Sequence, residues 1–336
     1  MPSSIYTKLG AAFAALAAGA AAVTIAAQVL NSTLGTPVAS PSSTVPAQGG
    51  SSGGTTTTSS PRPPRAPSAF PAPPTGATVF SREEGDDVVA LGIVSTGRRA
   101  LLQVSILNGQ GHGATGRVVR VALGSRTVAA APCGPGCYRV SVAAPSRPKA
   151  AVVVVGRGSG ATVWRISLPA HWPSPSAAGL IRQAGAAWRA LTSLAYHDHL
   201  ASDPTHAVAS DWRVAAPDKA SYVTSAGTAG IVIGGERWDR SGAHAAWVKS
   251  AQTLTIHQPV PFWTSATDAH VLRHTTVNGR AADVVSFFDP GTPAWFEVTV
   301  ETGTKHTVEL FMNTTAHFMH DTYSAFDSAA SIMPPK

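Results

Sequence analysis

The alternation of apolar and polar positions is clearest near the C-terminus, between Val277 and Phe326. From Trp295 to Glu301 it is strict. Phe296, Val298 and Val300 fall on one side and Trp295, Glu297, Thr299 and Glu301 on the other, the period of a half-buried strand. Thr302-Gly303-Thr304 supplies a turn, and Val308 and Leu310 carry the apolar side through residues 306–311. Upstream, residues 281–288 are an apolar run rich in Val and Phe, set between the turn residues Val277-Asn278-Gly279 and Asp289-Pro290-Gly291. The pattern predicts an antiparallel meander with one apolar face. Further strands are expected over 197–201, 206–215, 219–224 and 230–233, with turns at Asp203-Pro204, Ala216-Pro217-Asp218 and Ala226-Gly227. Residues 258–263 are expected as a loop and 266–272 as a short helix at the mouth of the sheet.

One stretch changes period. Leu180, Ile181, Ala184, Ala187, Trp188 and Leu191 recur at helical spacing, with Ser176 placed to cap the first turn. This amphipathic helix is expected to pack on the sheet; the alternative is a membrane-surface role, since its polar face carries only Arg182 and Arg189 as charges. Residues 79–170 read differently, as short β runs over 88–94, 100–107, 117–123, 138–143, 151–155 and 161–168, separated by Gly-rich turns. Their number and spacing suggest an Ig-like β-sandwich of about seven strands.

The start of the chain belongs to neither pattern. Leu9 to Leu30 carry no charge, and the stretch is long enough to cross a hydrocarbon core of about 30 Å. Residues 1–30 are read as an uncleaved membrane anchor, with a cleaved signal peptide as the alternative. Residues 31–78 are dominated by Ser, Thr, Gly and Pro, a composition that buries too little to order itself, and are read as a linker. The chain thus divides into anchor (1–30), linker (31–78), sandwich (79–170) and a C-terminal β-domain with its leading helix (171–336), all beyond the anchor lying outside the cytoplasm.

The C-terminal domain resembles a known family. The order of a strand with VNGR, a strand ending in FFDP, the PAWFEV strand, the E-T-G turn at Glu301-Thr302-Gly303, a return strand and then Y-x-x-F-D is similar to LolA-like lipoprotein carriers and the related LppX/LprG-type lipoproteins. The likeness spans roughly Thr192 to Pro335. It implies a curved, unclosed antiparallel half-barrel with helices in its mouth, so that the expected fold is mainly β with few helices. A small β-domain ahead of such a half-barrel also resembles the C-terminal region of actinobacterial copper-resistance-type membrane proteins. No Cys lies near the N-terminal segment, so the lipobox of the lipoprotein relatives is missing.

Composition adds less. Across 336 residues only 13% are charged, and the net charge of +7 comes from scattered Lys and Arg rather than a stripe, which argues against nucleic acid as a partner. Attraction to anionic headgroups near a membrane is a better use of that charge, the alternative being a compositional preference for Arg and Ala with no function behind it.

Candidate chemistry follows from the side chains. Trp212, Trp238, Trp263, Phe287, Phe296 and Phe311 are the candidates for lining an apolar cavity in a sheet too open to fill itself; the competing role is ordinary core. Cys133 and Cys137, the only cysteines, are expected as a short-loop disulfide, with a metal or redox pair as the alternative. His197, His199 and His206 are weak metal candidates, with Asp198 or Asp321 nearby, against the simpler role of solvated strand histidines. Copper binding by the sandwich is not expected, because it holds His112 alone and no Met. No nucleophile motif, P-loop or dinucleotide fingerprint is present, Asp283 has no carboxylate beside it on its own strand, and the other acids look dispersed. Neither catalysis nor a cofactor is therefore expected. The expected function is non-catalytic binding of a lipid or an acylated protein, with the membrane reached through the N-terminal helix. The alternative is a cell-envelope interaction or sensor module linked to copper homeostasis, with no small-molecule ligand.

Overall fold

The computed structural model describes residues 70–336, apart from 146, 204, 254–255 and 316. The expected anchor and most of the expected linker lie outside the described residues. Among the described residues no helix is long and apolar enough to cross a membrane.

Nine strands make the first domain: β1 (Thr78–Glu84), β2 (Asp87–Thr96), β3 (Arg99–Leu107), β4 (Val119–Leu123), β5 (Thr127–Ala129), β6 (Ala131–Gly134), β7 (Cys137–Ala143), β8 (Ala150–Val155) and β9 (Thr162–Ser167). They form two sheets, β1-β2-β3-β7-β6 and β5-β4-β8-β9. Leu91, Leu102, Val104 and Ile106 of the first meet Val121, Val153 and Ile166 of the second in one core. The domain has two layers, but its connections are not those of an immunoglobulin. There the third strand crosses to the other sheet; here the tight turn at Gly97, in the left-handed region at φ 64°, keeps β3 beside β2 as a hairpin. Cys133 and Cys137 are bonded to each other, with Cα atoms 5.0 Å apart, and tie β6 to β7. The loop they close is short, so the bond pins a hairpin more than it stabilises the domain.

The second domain begins with the only α-helix among the described residues, α1 (Ala178–Ala190), and continues through β10 (Ser193–Asp203), β11 (His206–Ala215), β12 (Lys219–Thr224), β13 (Ala229–Ile233), β14 (Glu236–Arg240), β15 (Val248–Ala251), β16 (Thr267–Val277), β17 (Arg280–Asp289), β18 (Ala294–Glu301), β19 (Thr307–Thr314) and β20 (His317–Ser324). All eleven join one antiparallel sheet, β15-β14-β13-β12-β11-β10-β20-β19-β18-β17-β16, which stays unclosed between β15 and β16. One face carries α1: Ile181, Ala184 and Trp188 are buried against Phe287, Phe296, Val298, Leu310, Met312 and Tyr323. We call this the inner face.

Two local expectations need correction. Residues 266–272 are not a short helix but the start of β16, where β-branched Thr267 and Val271 pair with β17 through two register shifts. Ser176 does not take the cap position. It is drawn into a backbone bridge with His270, Ala177 stands at the helix boundary, and the Ser176 hydroxyl reaches only the Ala178 N–H, at 3.4 Å.

The two domains share a buried seam. Ala77, Val79, Val88 and Ala90 of the first pack on Phe288, Trp295 and Phe318, which point away from the inner face of the second. Residues 70–77, linker by composition, belong to this seam. Phe70 lies against Phe288 and Trp295 with ring centroids 5.6 and 5.0 Å away, and the Pro71 and Ala72 carbonyls accept from Ser105 and Gln103. The unbroken apolar run of β2 now has a cause. Val89, Leu91 and Ile93 fill the sandwich while Val88 and Ala90 face the seam, so both faces are covered.

Candidate functional site

Strand pairing sorts the candidate aromatics into two groups. Phe287 and Phe296 stand opposite each other on β17 and β18, their rings stacked at 5.0 Å, and Trp263 meets both edge-on at 5.7 and 6.5 Å. Trp188 of α1 closes the cluster, edge-on to Trp263 at 6.4 Å. Trp212 lies on the same inner face in a separate ladder that runs Tyr222, Trp212, Tyr196, Tyr323, with successive centroids 4.7, 5.7 and 5.5 Å apart. Gly230 sits beneath this ladder's end. A Cβ there would fall 2.4 Å from the Tyr222 ring, so only glycine lets the ring lie over the strand.

Trp238 and Phe311 are not brought to this face. Trp238 pairs with Ile231 and Lys249, out of phase with Tyr222, and is covered by the Lys249 ammonium 5.3 Å from its ring. Phe311 points away from Leu310 and Met312, is 37% exposed, and stacks on His320 at 4.1 Å. Its phase was visible in the sequence: Val308 and Leu310 define the apolar side, and residue 311 is one step off it.

Beside the aromatic ladder the inner face holds two carboxyl groups that sequence reading missed. Asp198 and Asp321 are directly opposite on β10 and β20, and the buried Oδ1 of each has no hydrogen-bond partner among the described residues, so that a proton shared between the two would satisfy both. Asp321 has no exposed surface and Asp198 is 9% exposed. Burial pushes both above the usual carboxylate range, and the neighbouring Asp198 charge drives Asp321 further up. Tyr323 donates to Asp321 at 2.5 Å, Ser210 donates to Asp198 at 3.2 Å, and the Trp212 indole donates to Ser210 at 2.8 Å. The missed signal was the cross-strand register, which no single strand displays.

Alternation separates the same two aspartates from the histidines proposed as metal ligands. His197 and His199 flank Asp198 and so face the opposite side of the sheet. His197 pairs with Asp211 at 2.9 Å and His206 with Asp203 at 2.7 Å. Among the described residues no three His, Cys, Asp or Glu side chains converge as a metal would need.

An open space adjoins the buried aromatic cluster. A cavity of about 390 Å³ lies between α1 and residues 263–269, lined by Ala178, Ile181, Arg182, Gly185 and Arg189 from the helix and by Trp263, Thr264, Ser265, Ala266 and Ala269. Its far wall is held by Asp289, which is fully buried and accepts from the backbone N–H groups of Thr264, Ser265 and Gly291 and from the Ser265 hydroxyl. A Cβ on Gly291 would meet the Thr264 hydroxyl at 2.1 Å, so glycine is required for this turn to close.

No family model matches the chain, and no curated protein does. Among solved structures it is similar to the lipoprotein LppX of Mycobacterium tuberculosis, with 12% identity and a TM-score of 0.35 over 46% of this chain and 97% of that one. It is also similar to a LolA superfamily protein of Nitrosomonas europaea, with 10% identity and a TM-score of 0.23 over 47% and 96%. A putative outer membrane lipoprotein-sorting protein domain from Vibrio parahaemolyticus matches with 8% identity and a TM-score of 0.25 over 46% and 93%.

Proposed function

We propose that the inner face of the half-barrel binds a hydrophobic ligand, a lipid or the acyl chain of a lipoprotein, and does no chemistry on it. One observation carries this reading. A single helix covers an eleven-stranded unclosed sheet, and the cavity left beside it opens onto the apolar side chains Ile181 and Trp263. Its volume lies at the lower end of the range of small-molecule sites, and its lining of apolar walls with a few polar groups, partly open to solvent, supports the reading. Within this reading Trp263, Phe287 and Phe296 form the apolar end, while Trp212 belongs to the ladder farther along the face. The disulfide supports a place in an oxidising compartment outside the cytoplasm.

The test is lipid mass spectrometry on the full chain purified without detergent, compared with Ala266→Phe, which fills the cavity from its half-exposed wall. A stoichiometric co-purified lipid, absent from the variant while its melting temperature holds, is the expected result. A chain that carries no lipid and fails to take up an added fluorescent fatty acid would sink the reading.

A further inference from the structure

The charges around the cavity are of one sign. Arg182 and Arg189 both line it, and α1 contains no acidic residue. Neither arginine has an ion pair or hydrogen-bond partner among the described residues; Arg237, Arg273 and Arg280 of this domain pair with Asp239, Glu297 and Glu301, while Arg213 and Arg240 also lack an ion pair. Both are solvent-exposed, so water serves them in the free chain, and an anion entering the cavity would meet two guanidinium groups with no competing partner.

The donors also converge. Gly185 lies between the arginines on the same side of the helix, because residues three, four and seven apart share a face. The point where its Cβ would sit is 3.6 and 3.8 Å from the two terminal nitrogens of Arg189 and 3.7 Å from the Trp263 indole nitrogen. That indole nitrogen makes no hydrogen bond among the described residues. Asp289, behind the wall, is enclosed and already receives the donors of the Thr264–Ser265 turn. The rest of the lining is the apolar Ala178, Ile181, Ala266 and Ala269 together with Thr264 and Ser265.

We propose that this cavity takes the anionic head of an amphiphile. Arg182, Arg189 and the Trp263 indole hold a phosphate or carboxylate group over Gly185, and the hydrocarbon chain runs along Ile181 and Ala269. The proposal rests on the hydrophobic-ligand reading above and adds to it the charge of the head. Bare phosphate would satisfy the arginines but leave the apolar wall unused, whereas a neutral lipid would leave both arginines unpaired.

The experiment titrates the full chain, purified without detergent, with dodecyl phosphate, dodecyl maltoside and inorganic phosphate below micelle-forming concentrations. Dodecyl phosphate is expected to bind at least about tenfold more tightly than either of the others. The double substitution Arg182→Gln/Arg189→Gln should erase that preference while leaving dodecyl maltoside within about twofold. A second variant guards against misfolding. Gly185→Ala adds a methyl that fits at ordinary contact distance and favours the helix, so the melting temperature should hold or rise while dodecyl phosphate binding weakens. Equal affinity for the two amphiphiles, or indifference to the arginine substitutions, overturns the proposal and leaves the hydrophobic-ligand reading standing. Inorganic phosphate binding as tightly as dodecyl phosphate overturns it in favour of a tailless anion site. If neither amphiphile binds, both readings fall together.

Discussion

Asp321 has no contact with water, and Asp198 across the sheet has almost none. In the unfolded chain both carboxyls lose their protons near pH 4. In the fold the pair retains a proton to higher pH, because burial disfavours charge and two charges side by side disfavour it further. Between those limits the folded chain binds more protons than the unfolded one, so the pair's contribution to stability is greatest at low pH and declines as pH rises above about 4. Asp321→Asn supplies permanently the donor that a proton shared by the two carboxyls would supply only while it stays. The variant is expected to melt higher than the parent at pH 8 and to show a flatter dependence of melting temperature on pH between 5 and 8. Parallel curves for the two proteins would mean that the pair does not share a proton.

At the level of elements, α1 does what closure would do in a complete barrel, filling the face that eleven strands leave open. Trp188 is its main contact, 3% exposed and edge-on to both Trp263 and Tyr323. Trp188→Ala should cost about 3–5 kcal/mol in urea unfolding. Ala187→Ser on the half-buried flank should cost less than about 1 kcal/mol. The helix was legible from period alone, as were β10 to β13 and the meander β17 to β19, because in each the buried set recurs at a fixed step. What escaped had a cause outside the element. β16 looked helical because its strand character depends on pairing with β17 across two register shifts. β1 was lost at the end of a Pro-rich tract, since its burial comes from β2 and from the second domain. The candidate site was half legible: aromatic content pointed to Trp212, Trp263, Phe287 and Phe296, while the acid pair and the convergence on Gly185 exist only once strands and helix are assembled.

At the scale of the whole molecule, the seam makes one body of the two β-domains. Phe288, Trp295 and Phe318 turn an outer face that would otherwise meet water into an interface. A hydrogen bond from Asn313 to Ser81, at 2.9 Å, adds a directional contact. Trp295→Ala removes the largest fully buried side chain of the seam. Calorimetry on the parent should show the two domains melting as one transition, and on the variant as two. A single undivided transition in Trp295→Ala, merely shifted to lower temperature, would show that the seam is not what couples them.

Phe70 gives that seam a mechanical meaning. Its half-buried ring lies where the domains meet, against Phe288 and Trp295. Tension or displacement arriving through the preceding residues is therefore applied to the joint first. It would work as a lever between the two bodies before it could unravel a strand of either.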